Sequence, residues 1–335
     1  MVNNSEKGNM EKTFTAKLAQ ARRSKRALLN RAQRDRIAAR TFFLLSTLPL
    51  ILILMILLAL VQRSWPILGS GSLWELLTGQ VWKPIQGQFG FFPFIMGTVW
   101  VTVTSMILAV PPCLLAAIYL AEYAGTRLKT VMKPLLDLLA AIPSVVYGVW
   151  GVVAIVPWVQ SSLAPFMRRW LGFIPLFHSD NPTGFSIISG SIVLAVMVAP
   201  FIIAVTYEVL HTVPEGQRHA SLALGATRWQ TVRHAVLPQT QAGIIAGIVL
   251  GSSRALGETM AVLMVVGNVA KVPHSIFDPA YPLPALIANN YGEMLSIPLY
   301  DAALLGAALV LLVMVLFFNI SSTLVLRHIL QRMNK

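Results

Sequence analysis

After a polar opening of some forty residues, the chain alternates long apolar runs with shorter mixed segments. Six of the runs are long enough to cross roughly 30 Å of hydrocarbon as helix. They lie near Phe42–Val61, Phe92–Leu120, Pro134–Val156, Ile187–Leu210, Ala242–Gly267 and Ala302–Leu326. The pattern predicts an all-α membrane protein of six transmembrane helices. It divides into a basic tail, residues 1–40, and a membrane domain, residues 41–335. Pro111, Pro112, Pro143 and Pro157 fall in or beside the second and third runs. They predict kinks in a multi-helix bundle, where neighbouring helices re-satisfy the carbonyls that proline frees.

Composition agrees with lipid as solvent: 56% of residues are hydrophobic and 12% charged, and mean hydropathy is +0.69. The net charge of +13 changes the picture only through its distribution. Eleven Lys/Arg against Glu6, Glu11 and Asp35 put +8 in the first forty residues. That segment reads as a retained cytoplasmic tail resting on anionic membrane lipids. Phe14 is its lone aromatic residue, so it has no stacking surface for nucleic acid. Alternate loops, counted from the tail, carry twenty basic residues and the intervening loops five, with Arg254 left inside a span. This bias predicts both termini on the cytoplasmic side.

The outer segments 63–91 and 157–185 hold Trp65, Trp74, Trp82, Trp158 and Trp170, as expected for interfacial anchors, or for a face that docks an extracytoplasmic partner. The loop between the fourth and fifth spans differs. At about thirty residues it is long for a connector. Thr212 is a candidate cap for a helix over 215–224, Gly225 a stop, and Thr227 a cap for a second helix over 228–236 that ends before Pro238. This predicts a helix–corner–helix protrusion, too polar for lipid, over 212–238.

The fifth span carries the most specific chemistry. Gly243, Gly247, Gly251, Ala255 and Thr259 recur every fourth residue, a small-residue stripe that admits close approach of another helix. Arg254 and Glu258, also four apart, are expected on one side of that helix. A mid-membrane charge costs about 2.5–3.5 kcal/mol on insertion scales, so both should face the bundle or water. Two readings stand: a buried ion pair that fixes packing, or an anion path in which the arginine fork receives the anion's oxygens and the carboxylate holds the fork between passages.

Cys113 is the single cysteine and reads as a packed thiol. His178, His211, His219, His234, His274 and His328 lie in loops or at span ends rather than in a ligand cluster, and Asp137 reads as a capping or snorkelling acid. No Gly-x-x-x-x-Gly-Lys-Ser/Thr cradle occurs, so no ATPase site is expected, and no cofactor or metal is expected to be bound by this chain.

His219-Ala220-Ser221, Gly225 and Leu237-Pro238 resemble the loop of transmembrane subunits of binding-protein-dependent ABC importers. The family pattern there is Glu-Ala-Ala, three residues, Gly, nine residues, a branched apolar residue, any residue, Leu-Pro. His219 replaces the usual Glu, and Ala235 the usual branched residue. Gly251-Ser252-Ser253-Arg254-Ala255-Leu256-Gly257-Glu258-Thr259-Met260-Ala261-Val262, with Gly267-Asn268, resembles the signature of phosphate-specific permeases of the PstC type, as does Ala140–Gly151. The resemblance covers about residues 40–330. It implies a type I ABC importer permease fold in the bacterial inner membrane. Its loop would dock on the ATPase, and Arg254, Glu258 and Ser253 would line the substrate path. The implied partners are a homologous PstA-type permease, an ABC ATPase dimer that uses ATP and Mg, and an extracytoplasmic phosphate-binding protein. A permease for sulfate, molybdate or a phosphonate is the alternative within this class. An ion-coupled transporter would require inverted repeats with broken helices in both halves, and no second copy of the Arg254 segment occurs. A membrane sensor would suit the basic tail but leaves Arg254 unexplained.

Overall fold

Helices account for nearly all regular structure, and among the described residues six are long and apolar enough to cross a membrane. The computed structural model describes the backbone of residues 4–70, 72–293, 297 and 299–333. It describes side chains over 36–69, 72–293, 297 and 299–326. The charged side chains expected to rest on lipid in residues 1–35, and Arg327, Arg332 and Lys335, lie outside the described residues.

Two compact units divide the chain, residues Met1–Ala59 and Leu60–Lys335. One helix, α1 (Asn4–Ser70), runs without interruption from the basic segment through the first apolar run. Within the first unit Phe42, Leu50, Leu52 and Ile56 are all exposed, as in a helix that meets lipid around its circumference.

The second unit is built on α8 (Ile187–His211). Ser186 caps its start by accepting from Ser189 N, and Thr212 Oγ1 donates to Val209 O at its end. Thr212 thus closes the fourth span instead of opening the loop helix. Around α8 pack α3 (Phe92–Ile118), α4 (Thr126–Ala141), α5 (Ser144–Trp150), α11 (Leu237–Leu256) and α12 (Met260–Val265). Val193, Leu194, Val198 and Ile202 of α8 are fully buried among Val101, Cys113, Tyr147, Ala261 and Val265. Ser191 Oγ donates to Val101 O of α3 at 3.2 Å, so the helix pair is keyed as well as packed.

The third span sits later than residues 134–156. Helix α4 stops at Ile142, whose extended backbone (ψ 129°) is what a following proline imposes, here Pro143. The crossing segment is Ser144–Leu171, formed by α5, α6 (Val156–Trp158) and α7 (Ala164–Leu171) joined through two wide π turns. Tyr147 Oη donates to Leu139 O at 2.9 Å and bridges the break.

A second core forms where α2 (Leu73–Thr78), the hairpin β1 (Trp82–Lys83) with β2 (Gln88–Phe89), α13 (Leu283–Asn290) and α14 (Tyr300–Met333) meet the start of α3. Trp82 is its hub, with ring centroids 5.0 Å from Phe94, 5.4 Å from Phe89 and 6.2 Å from Tyr300. This tryptophan therefore builds the core of the loop instead of anchoring at an interface. Trp65, Trp74, Trp158 and Trp170 remain exposed.

Candidate functional site

The loop between the fourth and fifth spans folds as two helices about a glycine corner. Helix α9 (Glu215–Ala223) starts after Pro214, and Gly225 turns the chain with φ +84°. Then α10 (Arg228–Thr231) starts under a reciprocal capping box: Thr227 Oγ1 accepts from Gln230 N while Gln230 Oε1 accepts from Thr227 N. His219 and Ala220 lie exposed on α9, beside Leu222, and Leu224 is 90% exposed at the corner. Ser221 Oγ and Thr231 Oγ1, 3.0 Å apart, clasp the two helices together.

Pro238 does not end the second helix. Helix continues from Arg228 to Leu256 because a π turn, Val232–Val236, widens it just before the proline. Leu237 N reaches back to Val232 O, and the ring thereby escapes the clash that proline makes with a preceding α-turn. Leu237 packs with Ala121, Leu210, Val213, Val236 and Ile244 at the base of the loop.

A loop residue that no motif singled out, Arg218, is joined here to Glu122 at the end of the second span. Arg218 Nη2 donates to Glu122 Oε1 at 2.8 Å and to Leu210 O at 2.8 Å, Nε faces both carboxylate oxygens at 3.2 Å, and Nη1 donates to Val213 O. They stand 96 residues apart, so no periodicity relates them. The available signal was an acid, Glu122, immediately after an apolar run.

Along α11 the small residues meet α8. A Cβ placed on Gly243 would lie 2.5 Å from Val209 Cγ1, on Gly247 2.9 Å from Val205 Cγ1, and on Gly251 2.8 Å from Ile202 Cγ1. The three glycines therefore set the distance between these helices. In the Ala140–Gly151 segment, Gly148 of α5 and Gly151, which opens the π turn after it, do the same: Cβ atoms there would fall 2.7 Å from Met264 Sδ and 2.6 Å from Val193 Cγ2.

The fifth span is not one helix to Gly267. Helix α11 ends at Leu256, and Gly257 caps it through Arg254 O. Residues 258–259 then form an irregular corner before α12. Glu258 is consequently not on the helix of Arg254, and no ion pair joins the two among the described residues. Glu258 Oε1 instead accepts from Ala261 N at 3.3 Å, in the first turn of α12. Arg254 is exposed, and its Cζ lies 6.0 Å from the ring centroid of Phe201 on α8. Among the described residues, no hydrogen bond or ion pair engages its guanidinium. Ser253 turns away, donating to Asn319 Oδ1 of α14 at 2.6 Å, and so serves the α11–α14 contact. Past α12, Gly267 (φ +95°) and Asn268 (φ +52°) make a left-handed corner, with Asn268 Nδ2 donating to Leu263 O at 2.8 Å.

Arg254 thus lies near the end of the candidate span Arg228–Leu256, just before the break, and a cation at such depth is tolerated where protein buries it or it lines a wet cavity. The geometry presents a guanidinium fork open to a tetrahedral or planar oxyanion.

Residues 113–335 match the family described as binding-protein-dependent transport system inner membrane component. The phosphate transport system permease protein PstC of Pasteurella multocida is 36% identical over 284 residues, 83% of this chain and 87% of that protein. PstC of Haemophilus influenzae is 34% identical over 315 residues, 92% of this chain and 98% of that protein. In fold, the chain is similar to a chain of the MetNI methionine ABC transporter in an inward-facing conformation. That likeness has a TM-score of 0.53 at 19% identity and covers 74% of this chain and 99% of the other.

Proposed function

The chain belongs to the binding-protein-dependent transport system inner membrane components, within them to the PstC group of phosphate transport permeases, and on that premise we propose how it moves its substrate. It is a multi-pass permease subunit of an ATP-driven importer that carries inorganic phosphate across the inner membrane. Both termini face the cytoplasm, as the loop charges favour. A homologous PstA-type permease completes the path, an ATPase dimer supplies the energy, and an extracytoplasmic binding protein delivers phosphate.

The observation that carries this reading is Arg254, exposed beside a helix break near the end of a candidate span and, among the described residues, without a hydrogen bond or ion pair. Its fork matches phosphate oxygens. Phe201 offers the face of an aromatic ring to the same cation, a weak partner that an anion displaces readily. Glu258 contributes through α12: its carboxylate at the first turn holds the corner in shape while leaving Arg254 free. This separates the two residues that the helical spacing had paired. The anion meets a cation without a resident competitor, and release follows from movement of the helices around it.

Movement enters at residues 212–238. ATP binding closes the ATPase dimer, the dimer displaces α9 and its corner at Gly225, and the fifth span follows without a joint, because helix continues from Arg228 to Leu256. The substrate assignment is tested by radiolabelled phosphate uptake in a strain lacking its own permease, with sulfate and molybdate as competitors. Phosphate uptake that resists both anions and depends on the partner ATPase is expected. Uptake that survives loss of the ATPase but collapses with the proton gradient would overturn it.

A further inference from the structure

No residue of helix α9 is fully buried, and the two that are half-buried, Arg218 and Ser221, are polar. A helix so placed cannot pass a displacement to its neighbours by apolar packing, since it has no knob seated in them. Besides the short chain link from α8 through residues 212–214, hydrogen bonds tie it to the membrane helices. Ser221 ties it to α10 at Thr231. Arg218 ties it to two spans at once: to Glu122 after the second span, and to the Leu210 and Val213 carbonyls at the end of the fourth. The Arg218 and Glu122 side chains are only 18% and 10% exposed, so solvent screens the pair little.

The setting of Glu122 is equally specific. It stands on a π turn, Tyr119–Tyr123, that extends α3 and closes with Ala124 N donating to Tyr119 O at 2.9 Å. Such turns are rare and concentrate at functional positions. Lys129 Nζ donates to Ala121 O at 2.7 Å and holds the turn from its other side.

We propose that Arg218 and Glu122 are positioning residues forming a rigid strut, which carries displacement of α9 into α3 and α8 together. The inference rests on the ATP-driven reading above and adds the load path within this chain. Helices α3 and α8 are keyed by Ser191 and Val101. Helix α8 carries Phe201, opposite Arg254, and bears on the Gly243–Gly251 stripe through Val209, Val205 and Ile202. A push on α9 therefore reaches the aromatic wall of the anion site through one guanidinium. The bidentate fork suits this task, because it fixes direction as well as distance.

The test uses the complete transporter in proteoliposomes, with binding protein outside and ATP inside, and reads phosphate accumulated per ATP hydrolysed. The unmutated complex is measured first. If it shows no ATP-dependent accumulation, the ATP-driven reading fails by itself. Glu122→Gln keeps the shape of the side chain but sets an amide donor against Arg218. We expect the complex to assemble, since the Leu210 and Val213 carbonyls still accept from Arg218, and to hydrolyse ATP within about two-fold of the unmutated turnover. Phosphate moved per ATP should fall about ten-fold, the scale of one lost charge-assisted hydrogen bond. A merely structural pair would lower the yield of complex and leave that ratio unchanged, and this result overturns the proposal. If Glu122→Gln does not assemble, Arg218→Lys, which keeps the cation but loses the fork, carries the same measurement with the same expected fall. Failure of both variants to assemble assigns the pair to folding and also overturns it.

Discussion

At Gly225 the cost of a side chain can be isolated from packing. The residue has φ +84°, and a Cβ built on it meets nothing within 4 Å. A substitution there changes only the backbone preference. The left-handed region costs an L-residue about 1–2 kcal/mol, and a β-branched side chain stands at the upper end of that range. Gly225→Val should therefore depopulate the corner by about 5–30-fold. Asparagine tolerates this region, so Gly225→Asn should lose only a few tenths of a kcal/mol, about the difference between the two residues at such corners. Gly216 provides the control. It too has open space where a Cβ would stand, but it lies within α9 with ordinary helical φ, where Gly→Ala favours helix by about 1 kcal/mol. The assay titrates purified ATPase against the permease pair and reads the concentration at which half the complex forms. Gly225→Val should raise that midpoint by about 5–30-fold, with Gly225→Asn near the unmutated value and Gly216→Ala unchanged or tighter. Undisturbed docking by Gly225→Val, or equal damage from Gly216→Ala, would refute the argument that corner geometry governs docking.

Two further predictions concern helix contacts. Gly243→Ala sets a Cβ 2.5 Å from Val209 Cγ1, and overpacking of that kind costs about 1–3 kcal/mol. The lowered thermal stability of the purified complex should recover in Gly243→Ala/Val209→Ala, and purely additive losses would contradict the contact. Lys133 Nζ donates to Glu208 Oε1 at 2.6 Å, and this hydrogen bond raises the lysine above its ordinary 10.5. A raised folded-state pKa contributes stability fully below the unfolded value and loses it as pH climbs through the folded one. The stability gap between the unmutated complex and Lys133→Met should thus stay flat from about pH 6 to about pH 9 and close only in more alkaline solution. A gap that closes near neutrality would contradict the pair.

The six spans were legible because burial in lipid writes itself as continuous apolar runs, and a stripe such as Gly243–Gly251 needs only local spacing to be seen. The corner at Gly225 and the cap at Thr227 are likewise local, each set by one residue's own backbone or side chain. What escaped depends on continuity or on distance. The pairing of Arg254 with Glu258 assumed an unbroken helix, and Gly257 alone does not announce that the helix stops. Pro238 looked like an end because a compensating π turn leaves no mark in composition. Arg218 and Glu122 come from segments 96 residues apart, and Trp82 joins the nearby Phe89–Phe94 stretch to the distant Tyr300. The candidate site was therefore visible as residue types, while the freedom of Arg254 and the diversion of Ser253 to Asn319 required the folded arrangement.

If Arg254 is the cation that phosphate meets within the membrane, its loss should uncouple ATP hydrolysis from phosphate movement. That role is tested most directly by ATP-driven accumulation of radiolabelled phosphate in proteoliposomes containing the full complex, unmutated or with Arg254→Gln. The variant should assemble and hydrolyse ATP while phosphate accumulation falls by about 10–100-fold, the loss expected when charge-assisted hydrogen bonds to the anion disappear. Accumulation by Arg254→Gln at the unmutated rate would contradict that role.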